Sequence, residues 1–269
     1  MTELHLVIDI SNLVNRAYHA AKAGKDAVSY YGLAKYNLNR MMKTLLRDTD
    51  PYRLVGALDC GRSFRHDLYP EYKGHRGEKD AELRQLLADA PRLLWDEYGM
   101  ELFQAQGFEA DDVLATIADA NLAGCGDVRT VIATNDQDAL QLVYAAPGRA
   151  GTYVLQYEKG AYWSIGPAEV EAKLGVPPHR VALLKALMGD ASDNIKGVEG
   201  IGKVAARRIA LQFASPRAVF AGLERLQKSD RTKLEACGFD GLERLYRLTR
   251  LATNAPLQQV AHEVLAEAS

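Results

Sequence analysis

Nine carboxylates occur along this chain of 269 residues in five short groups, and each group directly follows an apolar run. Such a run predicts a buried strand or helix, so each group should lie where a buried element ends. No basic residue is an obvious sequence neighbour, and carboxylates brought together repel one another unless cations neutralise them. We therefore predict a site for Mg²⁺ or Mn²⁺, which prefer hard oxygen ligands. The nine residues are Asp9, Asp59, Glu109, Asp111, Asp112, Asp136, Asp138, Asp190 and Asp193.

The acids of the GFEADD segment favour a shared site most strongly. A single Asp after a strand is usually a turn or helix-cap residue. Glu109, Asp111 and Asp112, however, place three like charges within four residues at a predicted helix start. The helix dipole offsets only about 0.3–1 kcal/mol for each of them. Because Asp136 and Asp138 repeat this crowding, we predict two or more ions, with two about 4 Å apart that clamp the attacking and leaving oxygens of a phosphodiester.

A glycine-rich turn, GVEGIG, follows the last acidic group. Gly197, Gly200 and Gly202 can expose successive backbone N–H groups before a helix that begins near Lys203, and Lys196 precedes them. Such a nest binds backbone phosphates without reading base identity. A tight connection between two packed helices would use the same residues. The phosphate interpretation predicts nucleic-acid binding by shape rather than by sequence.

A basic insertion follows the second predicted strand and interleaves cations with aromatic residues. A solvated loop is the ordinary explanation of such a segment. For Lys73 and Arg76 we predict instead that their charges stabilise a scissile phosphate. Arg65 and Tyr72, in the same insertion, are predicted to contact nucleic acid.

The predicted elements form a doubly wound α/β fold. Strands and helices alternate over residues 1–165, and the pattern from 166 to 269 is helical only. In such folds ligands bind beyond the carboxyl ends of the parallel strands, where Asp9, Asp59 and Asp136 would lie. The sequence thus predicts a catalytic domain at 1–165 and a helical DNA-binding region at 166–269.

Overall composition agrees with a polyanionic partner. The formal net charge is −2, but without the nine acids 33 basic residues face 26 acidic ones, a net charge of +7. The three cysteines form no CxxC pair, which argues against zinc and disulfides and fits a reducing compartment. The N-terminus does not read as a signal peptide, and no apolar run approaches the roughly 20 residues of a membrane span. We expect a cytoplasmic protein without membrane contact.

With these motifs assembled, the chain resembles the flap endonuclease/5′–3′ exonuclease family, which includes bacteriophage 5′ nucleases and the 5′-nuclease domain of bacterial DNA polymerases. The motifs FR…YKxxR, GxEADD, DxDxxQL and GDxSDNIxGVxGIG occur in family order between Asp9 and about Phe213. The resemblance implies a PIN-like fold and metal-dependent 5′–3′ exonuclease and flap endonuclease activity, in replication or DNA degradation. It also implies that the nine acids bind metal directly or through water, and that Lys73 and Arg76 approach the scissile phosphate.

The resemblance further implies how DNA is held. Residues of about 62–99 would form a helical arch for a single-stranded 5′ end, and 197–203 a helix–turn–helix element of helix-hairpin-helix type. The carbonyls of that element would bind a monovalent cation such as K⁺. Expected partners are branched or flapped DNA and DNA with free 5′ ends, with RNA–DNA hybrids as a further class.

Two departures from the family pattern are visible. The aromatic residue that many members carry six places after the first Asp is Asn15 here, and the adjacent Arg16 is predicted to contact DNA. The proline-rich run after the basic pair is missing, because GEKDAEL continues directly. No polymerase domain follows, so we expect a free-standing nuclease in a bacterial cell, or in the host cytoplasm if it is encoded by a phage.

Two alternatives stay open at this point. A PIN-type ribonuclease shares a carboxylate cage on a similar sheet, although such domains are typically shorter and lack the glycine hairpin. A non-catalytic, structure-specific DNA-binding protein could use the hairpin alone. The acid set argues against it, because anionic clusters repel phosphate.

Overall fold

A computed structural model gives the fold of residues 2–23, 29–124, 127–147, 150–158 and 160–261. Within these residues the strands are β1 (Glu3–Asp9), β2 (Arg53–Ala57), β3 (Glu101–Gln104), β4 (Val128–Ala133), β5 (Thr152–Glu158), β6 (Ala161–Ile165) and β7 (Gln258–Gln259). The α-helices are α1 (Ile10–Lys22), α2 (Tyr31–Thr49), α3 (Phe64–Leu68), α4 (Ala81–Tyr98), α5 (Ala110–Ala123), α6 (Pro167–Leu174), α7 (Val181–Met188), α8 (Lys203–Gln212), α9 (Pro216–Ala221) and α10 (Lys228–Thr249). Short 3₁₀ helices lie at Asp138–Leu142, Pro178–Arg180, Ala191–Asp193 and Leu223–Arg225.

The strands form one sheet in the order β6-β5-β4-β1-β2-β3-β7. Strands β1 to β5 pair in parallel, whereas β6 and β7 run antiparallel at the two edges. This confirms the predicted α/β fold with a mainly parallel sheet and a helical C-terminal region. The prediction that only helices follow residue 166 is wrong at β7. Its two glutamines carry no apolar alternation that would signal a strand, yet they pair with Phe103 and Gln104.

The central strand β1 is buried on both of its faces. Leu6, Val7 and Ile8 are fully buried. Because successive side chains of a strand point to opposite faces, Val7 joins one hydrophobic cluster, and Leu6 and Ile8 join the other. Helices α1, α2 and α4 cover the face with Leu6 and Ile8, while α5 and the C-terminal helices cover the opposite face. Two helical layers therefore leave the carboxyl ends of the strands as the open edge of the sheet.

The predicted arch at 62–99 contains two helices with different surroundings. Helix α4 buries Leu83, Leu86 and Leu94 in the cluster formed with α1 and α2, so it belongs to the layer on the sheet. The connection 69–80 lies between α3 and α4 and carries Lys73 and Arg76. The role of this stretch as an arch stays a prediction. No helix in the described ranges is long and apolar enough to cross a membrane.

Candidate functional site

Three predicted ligands lie at the open edge of the sheet. Asp9 is the last residue of β1, and Asp59 and Asp136 follow β2 and β4, the two neighbours of β1. Asp9 is also the N-cap of α1, because its Oδ1 accepts a hydrogen bond from the backbone N–H of Asn12 at 2.9 Å. Oδ1 of Asp59 accepts the N–H of Ala110 at 3.0 Å, which joins the start of α5 to the same edge. The strand ends therefore bring these acids together as the sequence predicts.

Asp111 lies in the first turn of α5 and completes this group. Its Oδ1 is buried and has no hydrogen-bond partner in the described chain. Burial raises the pKa of Asp111 well above its ordinary value, and repulsion from Asp136, Asp9 and Asp138 raises it further. The pKa of Asp9 is raised to about 7, mainly by burial and then by Asp59 and Asp136. Asp9 is buried, Asp111, Asp136 and Asp138 are half-buried, and Asp59 is exposed, so these carboxylates share one partly desolvated environment in which each disfavours ionisation of the others.

Asp112, the next residue of α5, has a different role. It is fully buried, and its carboxylate accepts two hydrogen bonds from the guanidinium group of Arg65. These bonds are 2.6 Å long at Oδ2 and 2.8 Å long at Oδ1. Its Oδ1 also accepts the N–H of Ala252 at 2.8 Å. Because these bonds occupy the carboxylate, the structure gives Asp112 a structural role in place of the predicted metal-ligand role.

Arg65 is likewise corrected. Its side chain is 2% exposed and donates to the backbone carbonyls of Leu248 and Arg250, at 3.0 and 3.1 Å, as well as to Asp112. It cannot reach DNA from this position. Instead it ties α3 and α5 to the end of α10.

Tyr72 is buried as well, so it is not the predicted nucleic-acid contact. Its hydroxyl lies 2.8 Å from Oε2 of Glu109 and 2.9 Å from Oδ2 of Asp193. Burial, followed by these two carboxylates, raises the pKa of Tyr72. Lys73 donates to Oε1 of Glu109 at 2.6 Å, and Arg76 donates to Oδ1 of Asp193 at 2.8 Å. The connection 69–80 therefore places both predicted catalytic cations against the acids.

Lys185 is a site residue that the sequence interpretation missed. Its ammonium group donates to Oδ2 of Asp190 at 2.7 Å and also donates to Asp138. Burial lowers the pKa of Lys185, but attraction to the two carboxylates outweighs burial, and the pKa is raised. A signal was present, because Lys185 is the one charged residue in the apolar run VALLKALMG.

The pKa values of Asp138 and Asp190, the two partners of Lys185, are shifted in opposite directions. Burial raises the pKa of Asp138 to about 7 despite Lys185, and repulsion from Asp136 adds to the rise. Burial acts in the same direction on Asp190, but Lys185 and hydrogen bonds from Ser192 lower its pKa. Burial is the dominant cause at Asp138, whereas at Asp190 two hydrogen bonds from the N–H and hydroxyl of Ser192 to Oδ1 add to the effect of Lys185.

A cavity of about 480 Å³ opens beside these groups, lined among others by Asn12, Asp136, Lys185, Asp190 and Ser192. Across the described residues, no group of three or more Asp, Glu, His or Cys side chains is arranged to hold a metal ion. Instead, four of the acids form ion pairs: Glu109 with Lys73, Asp193 with Arg76, and Asp138 and Asp190 with Lys185. The sequence shows few basic neighbours for these acids, and in the fold three of the four ion pairs join residues at least 36 positions apart, while Lys185 and Asp190 are five apart.

The donor set nevertheless fits a hard divalent cation. Every acid in the cluster offers carboxylate oxygens, which Mg²⁺ and Mn²⁺ prefer. The buried oxygen of Asp111 has no partner among the described residues, and such an atom is costly unless a cation or donor satisfies it.

The GVEGIG turn lies between α7 and α8, and most of the residues predicted to bind phosphate are exposed. Lys196, Gly200, Gly202 and Lys203 are exposed, and Gly197 is half-buried. Gly202 is the N-cap of α8, so the N–H groups of the first turn of that helix face outward. The structure places all five predicted residues on one hairpin.

Buried contacts fix the shape of this hairpin. Val198 and Ile201 insert into the core, and a Cβ atom at Gly197 would collide with the backbone of Gly189. Gly200 has a φ of 75°, a conformation that favours glycine. Its carbonyl accepts a hydrogen bond of 2.8 Å from Nζ of Lys233 in α10. The turn is therefore a preformed structure.

Arg16 does not extend toward a substrate. Its guanidinium carbon lies 4.5 Å from the centre of the Tyr157 ring and 5.5 Å from that of Tyr162. The half-buried side chain therefore packs on the sheet, which corrects the predicted DNA contact. The neighbouring Asn15 donates to the carbonyl of Ser11 at 2.6 Å, one turn earlier in α1.

Two family models match consecutive parts of the chain. The model described as 5′-3′ exonuclease, N-terminal resolvase-like domain, matches residues 4–175. The model described as 5′-3′ exonuclease, C-terminal SAM fold, matches residues 176–268. The chain belongs to the 5′–3′ exonuclease family. This confirms the predicted family and its combination of an α/β sheet with a helical C-terminal region.

Individual relatives agree. The chain is 33% identical over 259 residues to the thermostable DNA polymerase I of Thermus thermophilus, and 28% identical over 259 residues to DNA polymerase I of Bacillus subtilis. The first match covers 94% of this chain and 29% of the polymerase, so the chain spans less than a third of that relative. The D15 flap endonuclease of bacteriophage T5, solved with DNA and metal ions, has a TM-score of 0.72 and 24% identity. That alignment covers 93% of this chain and 90% of the T5 chain and shows a shared fold.

Proposed function

We propose that this protein is a metal-dependent, structure-specific 5′ nuclease that hydrolyses DNA phosphodiesters as a 5′–3′ exonuclease and flap endonuclease. The main support is the convergence of Asp9, Asp111 and Asp136 at one partly buried edge, with Lys73 and Arg76 directly against the neighbouring acids. Family membership supports the same reaction class. Removal of primers or flaps in replication, or degradation of DNA in the cytoplasm, is the corresponding role.

The acids would hold two or more Mg²⁺ or Mn²⁺ ions. When bound, such ions supply a nucleophile at neutral pH and stabilise the charge of the leaving oxygen. The T5 relatives solved with metal ions, including zinc, support a divalent cation. We assign Asp112 to the structural ion pair with Arg65 and the other eight acids to the metals, directly or through water. These eight are Asp9, Asp59, Glu109, Asp111, Asp136, Asp138, Asp190 and Asp193.

Lys73 and Arg76 would orient and neutralise the scissile phosphate. Lys73 is partly buried, with 20% of its side chain exposed, so its charge acts in a medium that screens it less than water does. Its positive φ of 54° and its N–H bond to the carbonyl of Asp193 fix the backbone at this point. Tyr72 positions Glu109 and Asp193 beneath the two cations.

The hairpin between α7 and α8 would bind the duplex part of the substrate through its backbone. Exposed Lys196 and Lys203 flank the outward N–H groups of the turn and neutralise phosphates. These contacts carry no sequence information, so the branch of the DNA, and not its sequence, selects the cleavage point. RNA–DNA hybrids are a second substrate class for the same test.

Cleavage of a labelled flap tests the proposal. With Mg²⁺, the protein should release short products from a 5′-labelled DNA flap, and the Asp136→Asn/Asp138→Asn variant should not. Asp119→Asn is the matched control, because Asp119 is exposed on α5 outside the cluster. If the wild-type protein and the double variant release equal amounts, the enzyme proposal fails. Preferential cleavage of an RNA flap would favour the ribonuclease alternative.

A further inference from the structure

Helix α2 carries an exposed basic surface that the proposed active site does not use. We call this surface the basic stripe and define it as Lys35, Tyr36, Arg40, Lys43 and Arg47, all of which are exposed. From Tyr36 onward the spacing is four, three and four residues, which places the side chains along one face of the helix. Tyr36 is 65% exposed, so its ring is accessible to a ligand.

Three successive cations of the stripe lie three and four residues apart, where an ordinary solvated helix usually carries opposite charges. Lys43 has like charges three residues before it and four residues after it, at Arg40 and Arg47, and such pairs destabilise a helix. Asp48 is the only acid in α2, and it pairs with Arg47 at 2.9 Å.

The stripe also has few partners on the neighbouring helix. The side chains of Lys35, Arg40 and Lys43 have no hydrogen-bond or ion-pair partner among the described residues. Lys35 and Lys43 line a groove of about 440 Å³ between α2 and α4, where Glu97 is the facing acid. Because the stripe keeps repelling charges and, among the described residues, only Arg47 of its four cations has an ion-pair partner, it is suited to an external polyanion.

The stripe begins next to the connection that carries Lys73 and Arg76. The N–H of Tyr30, the N-cap of α2, donates to Glu82 in the first turn of α4 at 2.8 Å. Asp80, the N-cap of α4, accepts a hydrogen bond of 3.0 Å from Tyr18. A DNA strand that leaves Lys73 and Arg76 along this connection would therefore reach the first turn of α2.

We propose that the basic stripe binds the single-stranded 5′ arm of the substrate beyond the cleavage site. This inference rests on the proposed function and adds a second nucleic-acid surface to it. From Lys35 to Arg47 the helix rises roughly 18 Å, at about 1.5 Å per residue. That length matches about five nucleotides if the strand keeps a stacked, helical rise of about 3.4 Å per nucleotide, and fewer if it is extended. The cations would follow the phosphates, and Tyr36 would stack on one base.

The test compares binding of two flap lengths without cleavage. One duplex carries a fluorescent 5′ flap of about two nucleotides, shorter than the stripe, and the other a flap of about ten, which spans it. Binding is measured by anisotropy in EDTA. The Arg40→Gln/Lys43→Gln variant should bind the long flap roughly tenfold more weakly at low salt and the short flap equally well. Its salt slope on the long flap should fall by about 1.4, for two single-strand phosphates.

Arg92→Gln/Arg129→Gln is the matched control, because both residues are exposed cations outside the stripe and outside the helical region 166–269, and the charge change is the same. A Tyr36→Ala variant should weaken binding of the long flap only while the flap carries bases, and an abasic flap should remove the difference. Glutamine is a good helix former and the substitutions remove like-charge pairs, so the thermal unfolding temperature of the stripe variant should be unchanged or slightly raised.

Equal losses on both flap lengths would overturn the proposal in favour of a duplex contact, and no loss on the long flap would overturn it outright. Both outcomes are distinguishable from failure of the proposed function. That failure appears as absent cleavage with Mg²⁺, whereas the difference in binding between the two flap lengths in EDTA reports on the stripe.

Discussion

Lys185 donates a hydrogen bond of 2.7 Å to Asp190 from within the carboxylate cluster. The same ammonium donates to Asp138, so Lys185 is an internal cation where the proposed metal ions would bind. Lysine and metal should therefore compete for these oxygens. We predict that Lys185→Met lowers the free energy of unfolding in EDTA by about 3 kcal/mol, because it leaves two buried carboxylates without their partner. Mg²⁺ should then raise the melting temperature of the variant more than that of the wild-type protein.

Thermal unfolding with EDTA and with Mg²⁺ measures both effects. Lys173→Met is the control, because Lys173 donates to Gln156 at 2.7 Å, outside the acid cluster. A shift on adding Mg²⁺ that is the same in wild type, Lys185→Met and Lys173→Met would show that Lys185 does not compete with metal.

The stability of the metal-free protein should depend on pH through Asp9 and Asp138. The folded-state pKa of each is raised to about 7, mainly by burial. A raised folded pKa means that the folded protein keeps its proton after the unfolded chain has lost it. The contribution of these two protonated carboxyls to the free energy of unfolding is therefore complete below about pH 4, their pKa in the unfolded chain. It is lost as the pH rises through their folded-state pKa of about 7.

The difference between wild type and Asp9→Asn/Asp138→Asn isolates this effect from the other acids. In EDTA, the melting temperature of the wild type should fall relative to the variant between about pH 4 and about pH 7. Added Mg²⁺ should stabilise the wild type more above this range than below it. Parallel curves for the two proteins would argue against a buried, mutually repelling cluster.

The sequence predicts the strand ends and the acids there because both depend on local pattern. Apolar runs mark β1, β2 and β4, and parallel pairing brings their carboxyl ends to one edge. The pairing of Arg65 with Asp112 and with the carbonyl of Leu248 was not predictable in this way. These partners are 47 and 183 residues apart, and no local periodicity records such contacts. The same limit explains Lys185, which meets Asp138 across 47 residues.

Asp111 and Asp112 are adjacent, yet their replacement should change stability in opposite directions. Asp112 is the buried partner of Arg65, so Asp112→Asn should lower the free energy of unfolding by about 3–5 kcal/mol. Asp111 has a buried oxygen without a partner in the described chain and a raised pKa, so Asp111→Asn should stabilise the metal-free protein near pH 8. Urea unfolding in EDTA measures both. Changes of the same sign would contradict the separation of a structural acid from a metal-binding acid.

Lys73 should matter for turnover more than for DNA affinity. Its ammonium group lies against Glu109 inside the site and not on the hairpin that is proposed to hold the duplex. We predict that Lys73→Ala keeps the affinity for flapped DNA within a few-fold and lowers the single-turnover rate by about 10²–10³. Lys79→Ala, at an exposed lysine of the same connection, is the control and should cleave normally. Equal losses of affinity and rate in Lys73→Ala would make Lys73 a binding residue only.

Lys233 contacts a backbone carbonyl of the hairpin that is predicted to bind a monovalent cation. Its ammonium group donates to the carbonyl oxygen of Gly200 at 2.8 Å and so supplies a positive charge at the turn. We therefore expect wild-type binding of a blunt duplex to differ little between KCl and NaCl of equal ionic strength. Lys233→Met frees the carbonyl and should make duplex affinity depend on K⁺. Lys228→Met, at an exposed lysine of the same helix, should behave as wild type in anisotropy measurements. A strong K⁺ preference already present in the wild type would mean that the lysine does not replace the ion.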